Sequence, residues 1–166
     1  MVPAMVPLAL LASAPAPAAP VAPSAAPPAQ AALMRPLTLT KLNDMDFGYL
    51  GVIANGTAVI NPVTDTMTTT GGVLRLGGTP RAAAFRGVAQ GNSVVIIRIP
   101  NGGINLTRAG GTETILLNAF TLDGQSKRAM ARAGVFDFKV GATLRPTAGQ
   151  VEGLYTGTFE VTVQYP

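Results

Sequence analysis

The acidic pair Asp44-x-Asp46 is the nearest thing to a reactive constellation in this chain. Two carboxylates that close could divide general acid and base work, or contribute to a calcium site. A hard-cation site needs six to eight oxygen ligands, however, and Asp residues in a turn more often satisfy neighbouring backbone N–H groups. Turn structure is the expectation at Asp44 and Asp46. Ser and Thr are plentiful, but the chain has no histidine and no cysteine, so a hydroxyl nucleophile would need Lys or a carboxylate as its base. Lys41, Lys127 and Lys139 stand in no arrangement that supplies one. The same two absences remove the commonest general base, the usual transition-metal ligands and every disulfide. A non-catalytic chain is expected, with no catalytic residues, no metal and no cofactor.

The glycine pairs Gly71-Gly72, Gly77-Gly78, Gly102-Gly103 and Gly110-Gly111 could suggest phosphate loops. None is followed by Lys-Ser/Thr or stands in a G-x-G-x-x-G frame ahead of a helix, so all four are expected to be hairpin turns. Asn55-Gly56-Thr57 and Asn105-Leu106-Thr107 match the glycosylation acceptor pattern, which arises often by chance, and no function is attached to them. Twelve Lys and Arg against eight Asp and Glu give a net charge of +4, yet charged residues make up only 12% of the chain. Arg35, Arg75, Arg81, Arg86, Arg98 and Arg108 are scattered, and only Lys127, Arg128 and Arg132 form a local cluster. A nucleic-acid surface calls for clustered charge interleaved with aromatic residues. No nucleic-acid partner is expected.

Residues 1–34 carry no charged side chain. They contain the apolar run Met5 to Ala14 and then an Ala/Pro tract from Pro15 to Ala32. The run has the length of a signal-peptide core, and prolines at positions 3, 7, 15 and 17 exclude a stable spanning helix. The expectation is a signal peptide with its Ala/Pro-rich tract over residues 1–31, no membrane span, and one domain over residues 32–166. Ala29-Gln30-Ala31 and Ala14 are the two candidate cleavage sites, and a disordered Pro/Ala linker is the alternative reading of the tract. Lack of cysteine does not argue against export, because a domain of this size can be stabilised by its core alone. The expected location runs from the periplasm to the cell surface or beyond.

From Pro36 the composition turns to Thr, Val, Ile, Leu and Gly, in short segments separated by Gly, Asn, Asp and Pro, which is the punctuation of strands and turns. Candidate strands are Leu37 to Leu42, Thr57 to Asn61, Val73 to Leu76, Ala83 to Val88, Ser93 to Ile99, Ile104 to Thr107, Thr114 to Leu122, Val135 to Leu144 and Leu154 to Tyr165. Strands at this spacing predict an all-β sandwich. Val94 to Ile97 is continuously apolar and reads as a central strand buried on both faces. Gly124 to Ala133 is bounded by glycines and reads as a loop or a single turn.

The last segment alternates without interruption. Tyr155, Gly157, Phe159, Val161, Val163 and Tyr165 fall on one face, and Thr156, Thr158, Glu160, Thr162 and Gln164 on the other, so one face is core and one is wet. Such a strand at the end of the chain leaves an edge that invites another strand. The periodicity is equally that of an ordinary final strand paired on both sides.

The stretches Asp44 to Gly51 (DMDFGYLG), Gly56 to Asp65 (GTAVINPVTD), AAAFRGVAQGNSVVIIRIP, and FKVGATL followed by GQVEGLYTGTFEVTVQYP resemble the bacterial exported family called domain of unknown function 4402. The likeness covers nearly all of residues 37–165. That family is similar in layout to spore coat U-like and chaperone–usher pilin domains, which are incomplete immunoglobulin-like sandwiches. The resemblance implies an immunoglobulin-like antiparallel β-sandwich whose C-terminal strand edge binds partners through Gly153, Tyr155, Phe159, Val161, Val163 and Tyr165. Gly153 and Tyr165 occupy the places of the pilins' C-terminal glycine and penultimate tyrosine. The partners implied are other protein subunits or a periplasmic chaperone, engaged by strand addition, with a homo-polymer as one outcome. The chain departs from pilins in lacking a cysteine pair and a clear alternating donor segment ahead of Leu37-x-Leu39. The function expected is that of a structural or adhesive bacterial surface protein. The alternative is a secreted carbohydrate- or matrix-binding module that never assembles, disfavoured by the absence of Trp and the presence of only Tyr49, Tyr155 and Tyr165.

Overall fold

β-Branched and aromatic residues at period two, broken by Gly, Pro, Asn and Asp, dictate short extended segments. The computed structural model, which describes Ala31 and residues 33–166, contains eleven of them. The tract read as a signal peptide lies outside the described residues. In chain order the strands are β1 (Thr38–Asn43), β2 (Tyr49–Asn61), β3 (Thr66–Gly77), β4 (Ala83–Val88), β5 (Val94–Arg98), β6 (Ile104–Arg108), β7 (Thr114–Leu122), β8 (Lys127–Ala129), β9 (Val135–Arg145), β10 (Tyr155–Thr156) and β11 (Thr162–Gln164). Every pairing is antiparallel. The larger sheet runs β1-β4-β9-β7-β6-β10, with the β2–β3 hairpin also attached to β9, and the smaller sheet runs β11-β5-β8. This is the antiparallel, immunoglobulin-like sandwich that the sequence leads one to expect.

Strand β9 organises the larger sheet. It pairs with β4 from Val135 to Val140 and with β2 at Thr143 and Leu144, while β7 takes its opposite edge from Val140 to Arg145. Phe136, Phe138, Val140, Ala142 and Leu144, at every second position, are all buried. The first three join Phe85, Val95, Ile97 and Met130 in a cluster that links the two sheets. Ala142 and Leu144 join Ala58, Val73, Ile115 and Leu117 in a second cluster. Phe138 is the middle ring of a stack, 5.2 Å from Phe85 and 6.1 Å from Phe136. Opposite Phe136 stands Gly87, where a Cβ would come within 2.2 Å of the ring, so the third ring of the stack requires glycine beneath it.

Several sequence expectations are corrected, and of the expected glycine hairpin turns Gly77-Gly78 and Gly102-Gly103 join strands that do not pair with each other. Strands β2 and β3 extend well beyond Thr57–Asn61 and Val73–Leu76 and make one long hairpin. Gly71-Gly72 is therefore no turn but lies inside β3 at a bulge, where the register shifts between Val52 and Gly56. Gly71 has φ +65°, and a Cβ on Gly72 would meet the Ala54 backbone at 2.3 Å; only glycine permits that crossing. The hairpin turns instead at Pro62–Asp65, where the Asn61 side-chain oxygen accepts the Val63 N–H at 2.9 Å. Gly124 to Ala133 contains a strand, β8, because Val94 to Ile96 of β5 need a second partner. Val94 and Ile96 are only half-buried, unlike Val95 and Ile97, so β5 buries one face in the core and not both.

Asp65, at φ +57°, closes the hairpin onto β9. One carboxylate oxygen accepts the Ala82 N–H at 2.7 Å, and the other meets Lys139 Nζ at 2.9 Å. The Lys139 hydrogen bond holds the Asp65 carboxyl below its ordinary value of 3.8, against a smaller opposing effect of burial. The folded value lies below the unfolded one, so the stability this pair contributes is present above pH 3.8 and is lost as pH falls through the folded value.

Two outcomes follow. Phe138→Ala empties the centre of the ring stack and is expected to cost about 3–5 kcal/mol in urea unfolding; a cost below about 1 kcal/mol contradicts the role given to the stack. Asp65→Asn is expected to flatten the acid side of the stability profile, so that the melting temperature falls less between about pH 6 and about pH 3 than in the parent chain.

Candidate functional site

Entry to the C-terminal segment is set at Gly153. Its φ of +148° and its missing side chain let the backbone pass the stem of Arg108, which a Cβ there would approach to 2.8 Å. Arg108 is itself held by Glu113 at 2.7 Å. Leu154 then accepts the Ala109 N–H at 2.8 Å, and Tyr155 and Thr156 pair with Arg108 and Thr107 of β6. From Gly157 to Val161 the chain belongs to neither ladder, and Thr162, Val163 and Gln164 pair with Arg98, Ile97 and Ile96 of β5. The single strand expected from Leu154 to Tyr165 is thus two short strands on two sheets. The physical reason is that β6 and β5 lie in different sheets, so one chain can follow both only by crossing between them.

The alternation survives the crossing. Tyr155, Phe159, Val161, Val163 and Tyr165 are half-buried, and Thr156, Thr158, Glu160, Thr162 and Gln164 are exposed. Tyr155 packs on the second cluster, donates its hydroxyl hydrogen to the Val151 carbonyl at 2.6 Å and accepts from Gln150 at 2.8 Å. Phe159, Val161, Val163 and Tyr165 pack together on the first cluster, with the Phe159 ring 5.1 Å from Phe120. The Tyr165 hydroxyl accepts the Gln90 N–H at 2.7 Å and donates to the Arg35 carbonyl at 3.0 Å.

Strand β11 is the outermost member of the smaller sheet, as β10 is of the larger, so one side of each carries no strand among the described residues. At the other limit of the larger sheet lies β1, whose flank presents Leu37 and Leu39. Both pack, half-buried, on the same cluster that receives Phe159, Val161, Val163 and Tyr165. The Tyr165–Arg35 hydrogen bond joins the approach to β1 to the end of β11. Leu37 and Leu39 are thus a second wall of the site. The L-x-L spacing was visible in the sequence, but nothing in it tied that spacing to Tyr165. A further edge without a strand among the described residues, that of β3, runs the 12 residues Thr66–Gly77 beside exposed Tyr49, Ile53, Leu74 and Leu76.

The candidate chemistry resolves into structure. The Asp46 carboxylate accepts the Gly48 N–H at 2.8 Å and Asp44 pairs with Lys41, but in place of the expected turn the Asp46 backbone forms an antiparallel bridge with Arg81. Within the basic cluster, Arg128 pairs with Asp123, donates to the Asp137 carbonyl at 3.0 Å and lies 5.8 Å from the Phe138 ring centre, sealing the end of the core. Among the described residues no three of His, Cys, Asp and Glu gather at one point, and no helix is long and apolar enough to cross a membrane. An open hollow of about 360 Å³ lies beside β11, lined by Arg98, Ile99, Pro100, Glu160 and Thr162.

A family model described as a domain of unknown function (DUF4402) matches residues 37–165. No curated protein and no solved structure matched the chain.

Tyr165→Phe keeps the ring and removes the hydroxyl that joins Gln90 to Arg35. Loss of a hydrogen bond worth about 1 kcal/mol is expected to speed hydrogen exchange at the Gln90 amide about fivefold while leaving β9 unchanged. An unchanged Gln90 rate removes Tyr165 from this role.

Proposed function

The chain belongs to the domain of unknown function 4402 family, and from that premise and the half-open C-terminal edge we propose that it is a non-catalytic, structural or adhesive protein of the bacterial cell surface that acts by β-strand addition. The observation that carries this reading is the state of β11: paired with β5 on one side, without a strand on the other among the described residues, and with its apolar side chains half-buried. An incoming strand beside it gains backbone hydrogen bonds along the edge. It also gains about 25 cal/mol for each Å² of apolar surface it covers over Phe159, Val161, Val163, Tyr165, Leu37 and Leu39, before the cost of ordering.

The partner in this reading is another subunit or a periplasmic chaperone, met after export, and a homo-polymer follows if the incoming strand comes from the same protein. The distribution of tyrosines supports a protein partner over a carbohydrate. Tyr155 and Tyr165 commit their hydroxyls inside the domain, which leaves Tyr49 as the exposed tyrosine.

Strand-added assemblies are held by many backbone bonds at once and come apart slowly. Protein sheared from producing cells and run unheated on a denaturing gel is expected to give a ladder at multiples of one subunit that collapses on boiling. One monomer band in both lanes contradicts assembly by strand addition.

A further inference from the structure

The strand within Phe159 to Pro166, β11, is one of the three shortest of the fold, with β8 and β10. Its ladder is three residues long, Thr162 to Gln164, and lies at the border of its sheet, so no other pairing has to break for it to leave. Upstream the chain is fixed twice, by the β10–β6 pairing and by the Tyr155 hydroxyl between Val151 and Gln150. Between these two attachments Gly157 to Val161 is bonded to neither ladder. An unpaired crossing followed by a short outer strand makes a hinge and a movable arm.

We propose that Phe159–Pro166 is an exchangeable strand whose second position is the β5 edge of another copy of this chain. The occupant follows from the specificity of the seat. Phe159 fits against Phe120, Thr162 and Gln164 pair in register with Arg98 and Ile96, and Tyr165 reaches both Gln90 and Arg35. A second copy offers all of these unchanged, so the exchange re-forms every contact that it breaks. The balance then depends on the hinge at Gly157 and on the concentration of copies. This goes beyond addition of a strand outside β11, because here the neighbour's strand replaces β11 in its own seat.

The test uses the absence of cysteine from the chain and two exposed partners in the β5–β11 register, Arg98 and Thr162. Full-length Arg98→Cys and Thr162→Cys single variants, carrying tags of different mass, are refolded together at increasing concentration and bridged by oxidation or a short bismaleimide. In a closed monomer each cysteine faces a residue that cannot react. Exchange is expected to give a cross-linked pair joining positions 98 and 162 of different chains, several-fold above the like-with-like products and rising with concentration. The double variant of one chain checks the register by linking within the chain when dilute. Intra-chain linkage in the double variant with no 98–162 linkage between single variants overturns the exchange. Since addition outside β11 leaves that linkage within one chain, a heat-sensitive ladder accompanied by intra-chain linkage alone contradicts exchange and leaves strand addition standing.

Discussion

The stack of Phe85, Phe138 and Phe136 is the contact on which the sandwich rests. It fastens β4 to β9 side by side and presents one apolar surface to Val95 and Ile97 of the smaller sheet. Because β9 also pairs with β2 and β7, its alternation places Ala142 and Leu144 in the second cluster and so fixes the register of the β2–β3 hairpin and of β7 at once. Charge closes this arrangement at its borders. Asp123 holds Arg128 over Phe138 and accepts the Lys139 N–H, and Asp65 holds the Lys139 ammonium against the hairpin turn.

The C-terminal segment is organised by the opposite condition. Where β9 is bonded on both edges and buried, β10 and β11 are bonded on one edge, and their apolar side chains are covered on one side only. Leu37 and Leu39, on the flank of β1, share that half-covered state on the same cluster. A frame that is complete around β9 and incomplete along β1 and β11 can offer an edge to a partner without risking its own fold. Local stability that differs in this way across one structure is the usual basis for a segment that binds or moves.

Much of the frame was legible because its signals are local. Ala83–Val88 and Thr114–Leu122 are observed with the limits their composition suggests, and Val135 to Leu144 falls short of β9 by one residue. The alternation from Tyr155 to Tyr165 correctly marks which side chains face inward. What was hidden depends on distant pairing. Gly71-Gly72 reads as a turn until its partner Ala54 is known to pass beneath it, and Lys127 to Ala129 becomes a strand only because β5 needs a neighbour. Periodicity is likewise silent on which strand lies alongside, so the division of the C-terminal strand between two sheets could not be read from it. The packing of Leu37 and Leu39 on the cluster that receives the C-terminal residues was hidden for the same reason, since Arg35 and Tyr165 meet across 130 positions of sequence.

The division between a firm frame and a lightly held C-terminal arm is tested most directly by native-state hydrogen exchange followed residue by residue through low concentrations of denaturant. Amides of β9 and β4 are expected to open only with global unfolding, whereas those of Thr162, Val163 and Gln164 open through a separate fluctuation of much lower free energy and little dependence on denaturant. Equal protection of β11 and β9, converging on one global free energy and one slope, would contradict it.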